Sequence, residues 1–199
     1  TSGDINNISF RVPRGRQKPL ERMNAVASLV AERVLEAHKK VKFQSDITVA
    51  MEQRLLMLKN RQPTAKQITY AKKALTAEDP KTLPRLAVAY ANRTLALANG
   101  PREEEIVLQA LRIGKVGITS IPCEVLCEIG LSLKANSPLA QSTFTIELAN
   151  GHNGYLPTPR QHALGGYETW IGTCTLEILA SEKIKKLLLQ MLDKVAAGD

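Results

Sequence analysis

Aromatic side chains are scarce: Phe, Tyr and Trp make up only 4% of the 199 residues. So few rings leave little stacking surface for single-stranded nucleic acid. Long apolar runs are missing too, and without about 18 consecutive apolar residues no transmembrane segment is expected. The greasiest stretch, Leu187-Leu188-Leu189, sits inside a charged amphipathic pattern. Cysteine is limited to Cys123, Cys127 and Cys174. An odd count excludes a disulfide framework, and Cys123-x3-Cys127 has no second pair at zinc-finger distance. Buried thiols fit this usage, with one bridge to Cys174 left open for an exported protein. Internal repeats and low-complexity segments are absent.

What is present is ordinary for a globular chain: 44% hydrophobic and 23% charged residues. The net charge of +8 admits anionic partners. Its lysines and arginines are dispersed over several segments, so they read as a solvated basic surface, and no nucleic-acid partner is expected. An acidic segment elsewhere in the same domain would balance the charge equally well. The opening Thr1-Ser2-Gly3-Asp4 is loop chemistry with neither Met nor leader, and reads as the interior of a longer product.

Residues 1–19 read as a loop. Met23, Val26, Ala27, Val30, Val34, Ala37 and Val41 follow helical spacing and predict a helix from about Leu20 to Val41. Ile47, Val49 and Met51 alternate and predict a strand. Thr64 is a candidate cap for a helix through Leu75. A further helix is predicted from about Leu83 to Ala98, stopped by Asn99-Gly100-Pro101. Glu105 to Ile113 and Val116 to Ile121 read as a hairpin turned at Gly114-Lys115. Pro122 to Lys134 reads as a short helix and Thr143 to Leu148 as a strand. Ser181 is a candidate cap for the terminal helix, with Ile184, Leu187, Leu188, Met191, Leu192 and Val195 on its apolar stripe. The whole predicts an α/β fold, a mixed sheet with helices packed on it.

Three stretches carry chemistry that a scaffold does not need. Gly3-Asp4-Ile5-Asn6-Asn7 is either an ordinary turn or a loop that turns backbone N–H groups toward an oxyanion. Pro122-Cys123-Glu124 follows a strand. Its carboxylate is either a dipole-stabilising residue in a first helical turn or a ligand where α/β folds bind theirs. Asn150 to Thr158, then His162 and Gly165 to Trp170, gather two His, two Tyr and one Trp in Gly-rich loops after a strand. A metal can lower the pKa of a Tyr and draw in its phenolate.

Read in order, the three stretches resemble the distal motifs of the neutral/alkaline ceramidases. That family carries Gly-Asp-x-Ser-Pro-Asn, whose Ser is the proposed nucleophile; Gly3-Asp4-Ile5-Asn6-Asn7-Ile8 keeps the Gly-Asp and places Asn6 at the Ser position. Its Pro-Gly-Glu-Phe-Thr-Thr-x-x-Gly-Arg-Arg-Leu-Arg segment is matched by Pro122-Cys123-Glu124 with Gly130, Leu133 and Lys134 at the same offsets. Its Asn-x-x-x-x-Tyr is matched by Asn150 and Tyr155. Its Tyr-Glu twelve residues further on is matched by Tyr167-Glu168, and a further family tyrosine falls on His162. The resemblance runs from residue 3 to about residue 170, with residues 42–115 alike only in element pattern.

The resemblance implies that residues 1–199 are a single piece, the C-terminal portion of a larger α/β catalytic domain of a divergent subfamily, whose N-terminal part would be its partner. Two His ligands and an Arg for the substrate would lie in that part; His152 and His162 are not their counterparts. The resemblance also implies a zinc-dependent hydrolase of an amide or ester, with Glu124 and Tyr155 as zinc ligands. Tyr167 would position the scissile bond. Asn6, Gly3 and Asp4 would form the loop that serves the oxyanion or holds a water. A small-molecule or lipid-like substrate of the sphingolipid kind and a secreted or periplasmic location follow by the same resemblance. The alternative is a non-catalytic relative that keeps the fold and binds a ligand.

Overall fold

The computed structural model describes residues 1–6, 11–12, 15 and 17–198. Asn7 and Ile8, the end of the Gly-Asp match, lie outside them. The chain forms two compact units, Ile5–Ile47 and the combination of Thr1–Asp4 with Thr48–Asp199.

The first of these holds α1 (Glu21–His38). Leu20, expected to open the helix, is instead its left-handed N-cap at φ 66°. None of its residues is buried, and Met23, Val30 and Val34 of the apolar stripe are exposed. Within its own unit this helix therefore draws little support from packing, the usual main source of helical stability.

The second unit is built on a four-stranded sheet of order β1-β2-β3-β5. Its strands are β1 (Val49–Lys59), β2 (Glu103–Ile113), β3 (Val116–Ile121) and β5 (Thr143–Glu147). β1 and β2 are antiparallel, β2 and β3 form the predicted hairpin, and β3 runs parallel to β5. A short parallel ribbon, β4 (Glu124–Val125) with β6 (Tyr155–Leu156), continues past the ends of β3 and β5. The helices are α2 (Ala65–Leu75), α3 (Ala87–Asn99), α4 (Cys127–Asn136), α5 (Pro159–Leu164) and α6 (Ala180–Ala197).

One face of the sheet carries the core. Leu58, Ile106, Leu108 and Ile121 pack there against Ile184, Leu188, Met191 and Leu192 of α6, and against Ile129 and Leu133 of α4. Complete burial of each such side chain contributes about 1.5–3 kcal/mol. The opposite face is bare within this unit. Met51, Leu55 and Met57 of β1 and Phe144 and Ile146 of β5 lie roughly half-exposed on it. The alternation expected in β5 is present, but its threonines point inward: Thr119 and Thr145 share a buried hydrogen bond of 2.8 Å.

Three expectations are corrected. Glu124 does not open a helix: it sits on β4, and α4 begins at Cys127. The helix predicted from Leu83 begins at Ala87, because Pro84 holds Leu83 extended at ψ 157°. Ser181 lies inside α6 and is buried, while the N-cap is Leu179 without a side-chain hydrogen bond. Thr64 does cap α2, in a capping box with Gln67. All three cysteines are free thiols; Cys123 and Cys174 are buried, and burial pushes both thiols up.

Candidate functional site

The β4–β6 ribbon makes Glu124 and Tyr155 register partners, so their side chains leave the same face. Two backbone contacts fix the ribbon from outside. Tyr155 N–H donates to the Thr173 carbonyl at 3.0 Å, and Glu124 N–H donates to the Gly154 carbonyl at 2.9 Å. Gly154 has φ +71°, and a Cβ there would stand 2.4 Å from the Thr173 oxygen. Only glycine fits this approach.

Glu147, at the end of β5, ties down the other side. Its Oε2 accepts from Val125 N–H and from Ser2 N–H, each at 3.0 Å, and Ser2 Oγ donates to its Oε1. Burial acts to raise the Glu147 pKa, but the donors from Ser2 and Val125 outweigh it and hold the carboxyl below its ordinary 4.5. The Gly3-Asp4 pair therefore lies directly against β4. Gly3 N–H donates to the Val125 carbonyl at 2.9 Å, and a Cβ on Gly3 would meet the Glu124 carbonyl oxygen at 2.8 Å. The Asp4 carboxylate accepts from Cys127 N–H at 2.7 Å, which caps the start of α4. Asn6 belongs to the other unit, where it is exposed.

Glu124, Tyr155 and Tyr167 line one cleft of about 620 Å³. The Tyr155 and Tyr167 rings meet edge-on at 5.8 Å, and Tyr167 meets Trp170 edge-on at 5.6 Å. Hydrogen bonding to the Glu124 carboxylate, followed by burial, pushes the Tyr155 phenol above its usual range. Interaction with the Tyr90 hydroxyl, together with burial, raises Tyr167 as well. The cleft thus offers two phenolic O–H donors beside a carboxylate acceptor. His152 reaches its rim, with Nε2 3.5 Å from Glu124 Oε1. His162 is directed elsewhere, with Nε2 3.9 Å from Cys174 Sγ; burial, then the nearby Arg61 charge, lowers its pKa.

Glu104 and Arg93 also line the cleft and were not singled out from the sequence. Glu104 accepts from Asn153 Nδ2 at 2.6 Å and so holds the Gly-rich loop. A signal existed: Glu104 occupies the inward position of β2, in phase with Ile106 and Leu108, where an acid is out of place. Asn150 reaches back to the sheet and donates to Gln109 Oε1 at 2.9 Å. It does so from the left-handed conformation (φ 67°) that Asn tolerates.

Among the described residues no group of three or more His, Cys, Asp or Glu side chains is placed to hold a metal ion. Glu124 and Tyr155 supply two adjacent oxygen donors. Two donors are fewer than the four ligands a zinc ion takes. No helix among the described residues is long and apolar enough to cross a membrane.

No protein family matches the sequence, and no curated protein does. The fold does match solved structures. Neutral ceramidase from Pseudomonas aeruginosa superposes with a TM-score of 0.52 at 15% identity, over 90% of this chain and 34% of that one. A ceramidase complexed with C2 gives 0.50 at 13% identity, over 88% and 34%. The chain has a distant ceramidase-like α/β fold and spans about a third of the length of these neighbours.

Proposed function

We propose that the cleft is the hydrolytic site of a zinc-dependent amidase or esterase of ceramidase type. The observation that carries this reading is the opposition of Glu124 and Tyr155 on the ribbon, with Tyr167 edge-on to Tyr155 in the same cleft. Glu124 and Tyr155 would hold the zinc, which when bound would supply Lewis acidity toward a carbonyl oxygen. The Tyr167 hydroxyl donates to the carbonyl oxygen of the scissile bond and orients it. By the motif resemblance alone, Asn6 takes the position of the ceramidase serine. A carboxamide is no nucleophile, so on this reading water attacks the carbonyl carbon, and the Asn6 amide would serve the resulting oxyanion or hold that water.

The remaining zinc ligands come from the N-terminal part of the domain. That part packs on the bare sheet face formed by Met51, Leu55, Met57, Phe144 and Ile146. Support comes from the extent of that apolar face and from solved neighbours of which this chain spans about a third. A lipid-like, sphingolipid-type substrate and an exported location belong to the same reading. The test is turnover of a short-chain fluorescent ceramide and of simple esters by the polypeptide as encoded. Hydrolysis that chelation abolishes and zinc restores is expected.

A ligand-binding relative without catalysis is the second reading. It is favoured by Asn6 at the position the resemblance gives to the serine nucleophile, since a carboxamide cannot attack a carbonyl. On that reading no substrate turns over, with zinc or without.

A further inference from the structure

A second cavity, of about 650 Å³, lies beyond the Tyr167–Trp170 wall. Its apolar surface comes from Tyr70, Tyr90 and Trp170, and its charge from Arg61, Lys66 and Arg85. Among the described residues no acidic side chain lines it. Arg61 is committed: its guanidinium donates to the Thr169 carbonyl at 2.7 Å and the Cys174 carbonyl at 3.2 Å. Lys66 and Arg85 have no carboxylate partner among the described residues. Trp170 and Tyr70 are about half-exposed, at 51% and 53%. The cavity is therefore an open aromatic trough with two uncommitted cations at its edge. Lys66 lies in the first turn of α2, and Leu86 and Ala87 begin α3. Both helices thus turn their positive ends this way and add to the field. The neighbouring cleft is of mixed charge, with Glu104 and Glu124 beside Arg93 in its lining.

We propose that this trough is a binding site for an amphiphilic carboxylate. The apolar acyl or aryl body lies on Tyr70 and Trp170, where its burial is rewarded by water release and ring contact. The carboxylate sits between Lys66 and Arg85, which hold it by charge-assisted hydrogen bonds. The volume suits a small molecule. The site recognises its ligand by the pairing of one carboxylate with two cations beside an aromatic surface. The site needs no hydrolysis, and its binding stands apart from the function proposed above.

Trp170 is the only tryptophan in the sequence, so its fluorescence reports on this cavity directly. The experiment titrates the chain with 11-(dansylamino)undecanoate and reads energy transfer from Trp170, beside the methyl ester of the same probe. One-to-one saturation by the acid is expected, with at least tenfold weaker binding of the ester. The double variant Lys66→Gln/Arg85→Gln should lose at least tenfold in affinity for the acid and nothing for the ester. Raised salt should weaken the acid alone. Glu124→Gln should leave binding unchanged, which separates this site from the hydrolytic one. Displacement by decanoate or by naphthalene-2-carboxylate then shows whether an acyl or an aryl body fits better. Equal affinity for acid and ester, or wild-type affinity in the double variant, would overturn the proposal.

Discussion

Glu124 and Tyr155 stand opposite each other on a two-stranded parallel ribbon, and the carboxylate so placed, with burial, pushes the Tyr155 phenol above its usual range. The pairing depends on the ribbon being fixed at both ends. Thr173 anchors Tyr155 and Glu147 anchors Val125, the residue after Glu124. Each anchor makes the geometry testable apart from any activity.

Gly154→Ala should destabilise the chain by about 1–3 kcal/mol, from a strained left-handed conformation and a clash with the Thr173 carbonyl. Chemical denaturation gives the value. Gly165→Ala is the control: it too has a positive φ, but no atom lies within 4 Å of its added Cβ, so it should cost less. Equal losses in the two variants would show that the close approach of Gly154 contributes nothing.

Glu147 has a folded pKa below its ordinary 4.5, despite burial that opposes this, because Ser2 and Val125 donate to the carboxylate. The folded pKa is depressed, so its contribution is fully present above the unfolded value of about 4.5. It is lost as pH falls through the folded pKa. Glu147→Gln should therefore be less stable than wild type at pH 7, with the difference shrinking below about pH 4.5. Tm measured across pH 2–7 checks this; a constant difference over that range would remove Glu147 as an ionised anchor.

Zinc retention separates this chain from a complete metal site. With Glu124 and Tyr155 as its donors, the 199-residue chain should keep far less than one zinc per chain after dialysis, since a closed site uses about four ligands. Elemental analysis is the readout. One tightly held zinc that disappears in His152→Ala would place His152 among the ligands, as its approach to Glu124 permits.

Asn6→Ala, in the polypeptide as encoded, should lower kcat roughly a hundredfold, the loss expected for one oxyanion donor. It should change stability by no more than about 0.5 kcal/mol, because the site is exposed. Full activity in this variant would remove Asn6 from the mechanism.

Much of this architecture was legible in periodicity. The α6 stripe of Ile184, Leu188, Met191 and Leu192 and the hairpin turned at Gly114-Lys115 stand where their spacing put them. Helix ends were read less well. Pro84 delays α3, and the apolar N-cap Leu179 gave no sign that α6 begins ahead of Ser181. At the cleft, motif offsets singled out Glu124, Tyr155 and Tyr167, which all line one cleft. They did not show that Glu124 lies on a strand, because a two-residue ribbon has no period of its own. Its existence depends on Thr173 and Glu147, both distant in sequence. Nor did they show that the Asp4 carboxylate is committed to capping α4, a partnership that only the fold creates.

The proposed hydrolytic role rests on Glu124 and the phenols beside it. Its most direct test is kcat/KM for a short-chain fluorescent ceramide, measured with zinc on the polypeptide as encoded, for wild type and Glu124→Gln. The account predicts measurable wild-type turnover and a loss of roughly a hundredfold or more in the variant, with an unchanged Tm. Wild-type kcat/KM in Glu124→Gln would contradict it.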